Sequence, residues 1–339
     1  MRGESRAEAG AGSAAGSNAA TEVVRVRDVV KDVRPGFGLR SVRILHGISL
    51  DVRQGEIFGF VGPNGAGKTT TLKVLMGLIR ATSGSAQVLG HDVSENAFRR
   101  HVGFLPENPY FYHHLTGREI LRFYARVAGL SGSGLEQRVE RLLGWVHLEH
   151  AADQRLRGYS KGMLQRVGIA QALVHDPSVV FLDEPMSGLD PIGRAEIREL
   201  ILRLRTEGKT VFMNTHILSD VEMVCDRVAI IVKGRIRYQG HLEELLDGRQ
   251  RNVDVVVAGL SPDTGEKLAQ ETRGRVRGHG ERIEVRIAEK EVEDLLRRVL
   301  DDGGRIVSVT PHRASLETAF LAAVEDGGRS EAVEAGEEA

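Results

Sequence analysis

The chain has 339 residues and a formal net charge of -1, with 41% hydrophobic and 27% charged residues. This composition is typical of a globular protein, and the balanced charge argues against a broadly basic surface, so no nucleic-acid partner is expected. A single cysteine, Cys225, excludes an internal disulfide and a cysteine-based metal site. No apolar run approaches the ~18 residues that a membrane span requires, so work on a membrane would need a partner.

The N-terminal part is predicted to hold a disordered tail and two strands. Residues 1–20 are rich in Ala, Gly and Ser, lack the apolar core of a signal peptide and are expected to be disordered. Residues 22–30 and 43–52 read as strands of a small antiparallel β layer on either side of a loop with Pro and Gly. Phe37 is the only aromatic residue of that loop. It either stacks on the base of a nucleotide or is an ordinary loop residue.

The next stretch carries the pattern G-x-x-x-x-G-K-[ST] between an apolar strand, 57–61, and a helix. Glycines allow backbone N–H groups to surround phosphate oxygens, and the following helix N-terminus adds partial positive charge. We expect Lys68 to reach the β- and γ-phosphates and the Thr69 hydroxyl to ligate Mg²⁺. The predicted nucleotide contacts are Gly62, Pro63, Asn64, Gly65, Ala66, Gly67, Lys68, Thr69 and Thr70.

The middle of the chain alternates strands with helices, which indicates a mostly parallel α/β core. An apolar run over 101–107 ends at Glu107, and the pattern then stays mostly helical to about residue 175, with a helix cap predicted at Thr116. The strand in 178–184 ends in Asp183 and Glu184. We expect Asp183 to hold the metal and Glu184, pointing differently, to act as a general base. Alternatively, one or both are solvated acids at a strand end.

The core pattern ends near residue 250, and a separate small unit follows it. A further buried strand, 209–216, ends at His216, followed by a helix and a hairpin over 229–240. After about residue 250 the order strand, helix, strand, strand, helix, strand predicts a small ferredoxin-like appendage. A helix over 315–325 closes the unit, and the acidic end, 326–339, is expected to be disordered.

Five motifs in order over about residues 22–245 resemble those of an ATP-binding cassette (ABC) ATPase. GPNGAGKTT matches the Walker A motif and VVFLDE the Walker B motif. YSKGMLQR (159–166) resembles the signature, SGLD (187–190) the D-loop, and Thr215-His216 the switch histidine. Pro106-Glu107 stands at the Q-loop. The resemblance implies ATP hydrolysis with ATP and Mg²⁺ as cofactors.

The resemblance also implies a head-to-tail dimer that encloses two ATP molecules. In that arrangement Ser160 and Gly162 of one subunit contact the γ-phosphate held by Lys68 of the other, and Asp190 organises the interface. Ser160 could instead serve only as a helix N-cap. His216 would contact the γ-phosphate and position water, although a lone histidine is often structural or solvated.

Three positions depart from the family pattern. The Q-loop residue is Glu107 where the family commonly has Gln, and we expect its carboxylate to be a metal ligand. The signature has Tyr159, Lys161 and Met163 in place of three residues of Leu-Ser-Gly-Gly-Gln. Val33 stands where an aromatic residue often contacts adenine, which leaves Phe37 as the substitute.

The predicted fold class is therefore α/β: a P-loop NTPase domain of the ABC type with an antiparallel β subdomain and a helical subdomain, plus the α+β appendage. The expected ATPase domain spans 21–248, with the helical subdomain at about 108–175, and the appendage spans 249–325.

The absence of apolar spans, the single ATPase domain and the segment SLETAFL resemble the ATPase subunit of ABC-2-type exporters, including those for drugs. The resemblance implies a separate transmembrane permease, a homodimer or a paralogous second subunit, and a place on the inner face of the cell membrane. Residues 109–115 are the expected permease contact, or else core of the helical subdomain. The alternatives are an ABC ATPase acting on ribosomes or DNA, and a scaffold protein with little catalysis.

Overall fold

A computed structural model describes residues 21–34, 41–247, 252–260, 276–279, 282–312, 316–318 and 320–321. Phe37 and both predicted terminal tails lie outside these ranges, as do the predicted domain boundaries near 20, 248 and 325, which stay predictions. The strands are β1 (Glu22–Val33), β2 (Val42–Arg53), β3 (Ile57–Val61), β4 (Ser83–Val88), β5 (His91–Asp92), β6 (Val102–Leu105), β7 (Val179–Asp183), β8 (Thr210–Thr215), β9 (Arg227–Val232), β10 (Arg235–His241), β11 (Asn252–Ala258), β12 (Val276–His279), β13 (Arg282–Ala288) and β14 (Arg305–His312). The helices are α1 (Lys68–Leu75), α2 (Gly117–Val127), α3 (Gly132–Trp145), α4 (Lys161–Ala172), α5 (Pro191–Thr206), α6 (Leu218–Val224), α7 (Leu242–Asp247) and α8 (Val292–Asp301).

The central sheet has the order β10-β9-β3-β8-β7-β6. Its strands β3, β6, β7, β8 and β9 run parallel, and β10 adds an antiparallel edge. Every residue of β3, β7, β8 and β9 is buried, as expected for strands covered on both faces. The carboxyl ends of β3, β7 and β8 therefore meet at one edge, which brings together the segments that follow them.

One face of this sheet is covered by the predicted antiparallel layer, with the order β2-β1-β4-β5, and by α1. Phe58, Phe60 and Phe181 each place their ring 5.5–5.6 Å from the ring of Phe212. These four aromatic side chains belong to the same buried cluster as the apolar residues of β1 and β2. The β layer therefore packs against the sheet through a core that also includes Ala66 of the P-loop.

Helices α4, α5 and α6 pack against the other side of the sheet, and α2 and α3 of the helical subdomain extend the same core. Helix α2 begins as predicted: Thr116 accepts a hydrogen bond from the backbone of Glu119, whose side chain accepts one from Thr116 in return. Helix α3 begins at Gly132, within the glycine- and serine-rich stretch 129–134. Its buried Leu135 and Val139 pack into the main core, so tertiary packing outweighs the low helix propensity of glycine.

The third sheet is antiparallel with the order β12-β13-β11-β14, and α8 packs on it through Leu295 and Val299. The mixed α/β fold with this α+β unit is as predicted, although the helix expected between β11 and β12 lies outside the described residues. Helical residues follow at 316–318 and 320–321. In the described parts of the chain, no helix combines the length and apolar character that crossing a bilayer requires.

Candidate nucleotide-binding site

A cavity of about 470 Å³ lies at the edge where β3, β7 and β8 end. Its volume falls in the range of small-molecule sites, roughly 300–1,000 Å³. Most of its lining comes from the P-loop and from the residues that follow the other two strands. The lining residues are Ile44, Pro63, Asn64, Gly65, Gly67, Lys68, Thr69, Thr70, Glu107, Glu184, Ser187 and His216.

The P-loop conformation depends on its glycines. Gly65 and Gly67 have φ angles of 80° and 106°, which side chains disfavour. A Cβ on Gly67 would also stand 2.7 Å from the Leu45 side chain, and one on Gly62 would overlap the Ile231 carbonyl oxygen. Gly67 offers no side chain to cap α1, so the N–H groups of the first turn remain available to an anion. Three residues of that turn, Lys68, Thr69 and Thr70, line the cavity.

Lys68 is buried beside the loop that precedes it. Its Nζ donates a hydrogen bond to the carbonyl oxygen of Gly62 (2.7 Å) and lies 3.7 Å from Oε1 of Glu184. Burial lowers the pKa of Lys68, and the charges of Glu184 and Asp183 oppose that shift. The ammonium group of Lys68 thus lies between the P-loop and the two acids at the carboxyl end of β7, Asp183 and Glu184.

Asp183 ends β7 with its side chain buried. Oδ1 of Asp183 accepts a hydrogen bond from Nδ2 of Asn214 (3.2 Å). Burial raises the pKa of Asp183, and the nearby charges of Glu184 and Glu107 raise it further. The ionised form of this carboxyl group is costly to bury, and a bound cation would offset that cost.

Thr69 and Glu107 line the cavity, and the charge of Glu107 acts on the buried Asp183. The Thr69 hydroxyl and the two carboxylates are oxygen donors of the kind that Mg²⁺ prefers. Across the described ranges there is no group of three or more His, Cys, Asp or Glu side chains arranged for a metal ion. Mg²⁺ at nucleotide sites takes one or two carboxylates together with substrate phosphates.

Glu184 adopts a left-handed backbone conformation, with φ of 49°, which is strained for a residue other than glycine and is often found at functional sites. Its N–H donates to the Asn214 carbonyl oxygen (2.9 Å). Its Oε2 lies 2.9 Å from Nδ1 of His216, within hydrogen-bonding distance. Glu184 lines the cavity, whereas Asp183 does not.

Glu107 lines the cavity from the Q-loop position. The backbone carbonyl of Glu107 accepts a hydrogen bond from Nε2 of Gln165 in α4 (3.3 Å). Helix α4 carries the signature segment, so this bond connects the two segments within one chain.

Ser160, Gly162 and Asp190 do not line this cavity. Ser160 caps α4 by accepting a hydrogen bond from the Met163 N–H (3.2 Å), and Asp190 caps α5 through the Gly193 N–H (2.7 Å). The structure therefore does not bring these three residues to the P-loop cavity. The predicted stacking by Phe37 lies outside the described residues.

Three site residues were missed by sequence reasoning. Ile44 in β2 and Ser187 in the SGLD segment line the cavity, and Asn214 supports Asp183 from the neighbouring strand. Asn214 gives a sequence signal, because it is an amide within the apolar run 209–216. Ile44 gives none, since its place depends on how the β layer folds over the P-loop.

Comparison with known proteins gives one consistent result. Residues 45–187 match the ABC transporter family. An uncharacterised ABC transporter ATP-binding protein of Synechocystis sp. is 42% identical over 313 residues, which cover 90% of this chain and 86% of that protein. The Nod factor export ATP-binding protein I of Cupriavidus metallidurans is 36% identical over 297 residues, 84% of this chain and 95% of that protein.

The fold is also similar to solved ATP-binding cassettes. One of them, a dimer in a post-hydrolysis state with bound ADP and Pi, matches with a TM-score of 0.59 and 25% identity. The match covers 65% of this chain and 98% of that cassette. The similarity thus spans nearly the whole cassette and about two thirds of this chain.

Proposed function

The chain belongs to the family of ABC transporter ATP-binding proteins and is an ATP hydrolase, and from that premise we propose that it drives export through a separate transmembrane permease. In this proposal two ATPase subunits, identical or paralogous, pair head to tail around ATP and Mg²⁺. The assembly lies at the inner face of the cell membrane. An export ATP-binding protein among the relatives supports the direction of transport.

The division of the site residues supports the pairing. The P-loop, Glu184 and His216 line one cavity, whereas Ser160, Gly162 and Asp190 do not. In a site assembled from two subunits, one chain supplies the P-loop, Glu184 and His216, and the other chain supplies Ser160, Gly162 and Asp190. Ser160 and Gly162 would face the γ-phosphate held by the partner's P-loop, and Asp190 would lie at the interface between the two subunits.

Within each site we assign roles by chemistry. The P-loop and Lys68 bind the phosphates, and Thr69, Asp183 and Glu107 hold Mg²⁺, which would neutralise charge on the transferred phosphoryl group. Glu184 accepts the proton of the attacking water. His216, 2.9 Å from the Glu184 carboxylate, orients that base.

The proposed permease contact is an aromatic patch made of Tyr110, Tyr112 and Phe123. Tyr110 is 94% exposed and Tyr112 is 55% exposed, while Phe111 between them is buried. The ring of Tyr112 meets that of Phe123 edge to face at 6.2 Å. Exposed aromatic side chains gathered in this way are typical of interaction sites, so the segment 109–115 serves as both core and surface.

Co-purification decides between a permease and a ribosome or DNA as the partner. We expect the tagged protein to bring down, from detergent-solubilised membranes, the polytopic membrane protein encoded beside it. The double variant Tyr110→Ala/Tyr112→Ala should lose most of this partner and keep ATP binding. Leu300→Ala removes an exposed apolar side chain of α8 and serves as the control. Recovery of ribosomes or nucleic acid in place of a membrane protein would contradict the proposal.

A further inference from the structure

Two helices that follow site segments pack against each other. Helix α5 starts directly after Asp190, and α6 starts two residues after His216. Ile197 and Ile201 of α5 and Val221 of α6 are fully buried in one apolar cluster. The two helices are thus held together by apolar contacts that require no charge.

A buried charged contact nevertheless crosses the same interface. The Asp220 side chain on α6 is only 3% exposed, and its Oδ1 lies 3.7 Å from Nη2 of Arg198 on α5. Arg194, one turn earlier on α5, adds a second positive charge. Burial raises the pKa of Asp220, and both arginines oppose that shift. A buried ion pair is weak evidence for stability, since desolvation offsets much of the attraction.

The contact completes a continuous connection between two parts of the site. Asp190 caps α5 at Gly193 (2.7 Å), and Arg198 on that helix meets Asp220. On α6 the N–H of Asp220 donates to the Ile217 carbonyl oxygen (3.2 Å), one residue beyond His216. The imidazole of His216 then reaches Glu184 at 2.9 Å.

We propose that the Arg198–Asp220 ion pair is a positioning contact that fixes α6 against α5 and so sets the hydrogen bond between His216 and Glu184. Arg198 and Asp220 touch no nucleotide and act through His216. The inference rests on the roles proposed above for His216 and Glu184. It adds that the geometry of these two residues depends on the helix that begins at Asp190.

Steady-state hydrolysis of MgATP by the full-length chain tests this. Asp220→Asn keeps the volume of the side chain and removes its charge, and Arg198→Gln removes the other partner. We expect kcat to fall about tenfold in each, because a small displacement of a catalytic group is costly, while KM for ATP stays within about twofold. The double variant should be no slower than the single variants, because the two substitutions remove the same contact. Arg198→Lys should restore part of kcat.

Glu199→Gln is the matched control, because it removes a carboxylate from the exposed face of α5 and should leave kcat unchanged. Thermal unfolding of every variant confirms that it is folded at the assay temperature. Wild-type kcat in Asp220→Asn, additive losses in the double variant, or a parallel loss of ATP binding would each overturn the inference.

His216→Ala, measured in the same series, distinguishes the role of His216 from the role of the Arg198–Asp220 contact. Wild-type kcat in His216→Ala would overturn both the role of His216 and the positioning contact. An inactive His216→Ala together with a fully active Asp220→Asn would overturn the positioning contact alone.

Discussion

Glu184 stands where three constraints meet. Its backbone is strained at φ of 49°, one carboxylate oxygen faces Lys68 at 3.7 Å, and the other lies 2.9 Å from His216. Strain of this kind costs of order 1–3 kcal/mol and persists only where the surroundings enforce it. In the proposed mechanism, this carboxylate accepts the proton of the attacking water.

Glu184→Gln should therefore separate binding from hydrolysis. The amide keeps the size of the side chain but is a poor proton acceptor, so kcat should fall by about 10²–10⁴. ATP binding should persist, and ATP, unlike ADP, should convert the variant from monomer to dimer in size-exclusion chromatography with light scattering.

Ser160→Asp in the Glu184→Gln background is the control for the dimer. Aspartate still caps α4, but its charge should repel the γ-phosphate bound by the other subunit. This double variant should bind ATP and stay monomeric. Dimers that form equally well with Ser160→Asp would refute the composite site.

At the residue scale, the sequence predicted the groups that local motifs specify. The carboxyl ends of β3, β7 and β8 meet at one edge of the sheet, and local motifs place chemical groups at or just after those ends. These groups are Lys68, Thr69, Asp183, Glu184 and His216. The Arg198–Asp220 contact was not predictable in this way, because it depends on the packing of two helices.

At the scale of elements, the β9–β10 hairpin joins the β layer to the P-loop. The Gly234 N–H donates to the Ala66 carbonyl oxygen (2.9 Å), and the Gly234 oxygen accepts from the His46 N–H (3.0 Å). Gly234 has φ of 73°, and a Cβ there would overlap the Ile44 carbonyl oxygen. The hairpin was predicted from its sequence pattern, but this close approach was not, because it needs the positions of three separate segments.

Gly234→Ala should destabilise the protein and weaken nucleotide binding together. Gly208→Ala is its matched control, since φ is 77° there and a Cβ would have no neighbour within 4 Å. Both changes place a side chain at positive φ, which costs about 1–2 kcal/mol, and the overlap at Gly234 should add about 1–3 kcal/mol. Urea unfolding and titration with a fluorescent ATP analogue measure the two effects. Equal losses in the two variants would show that the close approach costs nothing.

At the scale of the whole molecule, the chain returns to the ATPase domain after the third sheet. Leu316 is fully buried and belongs to the same core cluster as Val221 and Val224 of α6. Its backbone N–H donates to Oε1 of Glu222 on the same helix. The sequence predicted a helix over 315–325 but not where it docks, because an apolar face by itself does not identify its partner.

Leu316→Ala should therefore weaken the ATPase domain, although the residue lies more than 60 positions beyond β10. Removing a buried leucine side chain costs about 2–5 kcal/mol, whereas Leu321→Ala, at a position that is 53% exposed, should change stability by less than about 0.5 kcal/mol. The single tryptophan, Trp145 in α3, reports on the ATPase domain during urea unfolding. An unchanged Trp145 transition in Leu316→Ala would mean that the C-terminal segment contributes nothing to the stability of that domain. A shifted transition would mean that the segment stabilises the helix that follows His216.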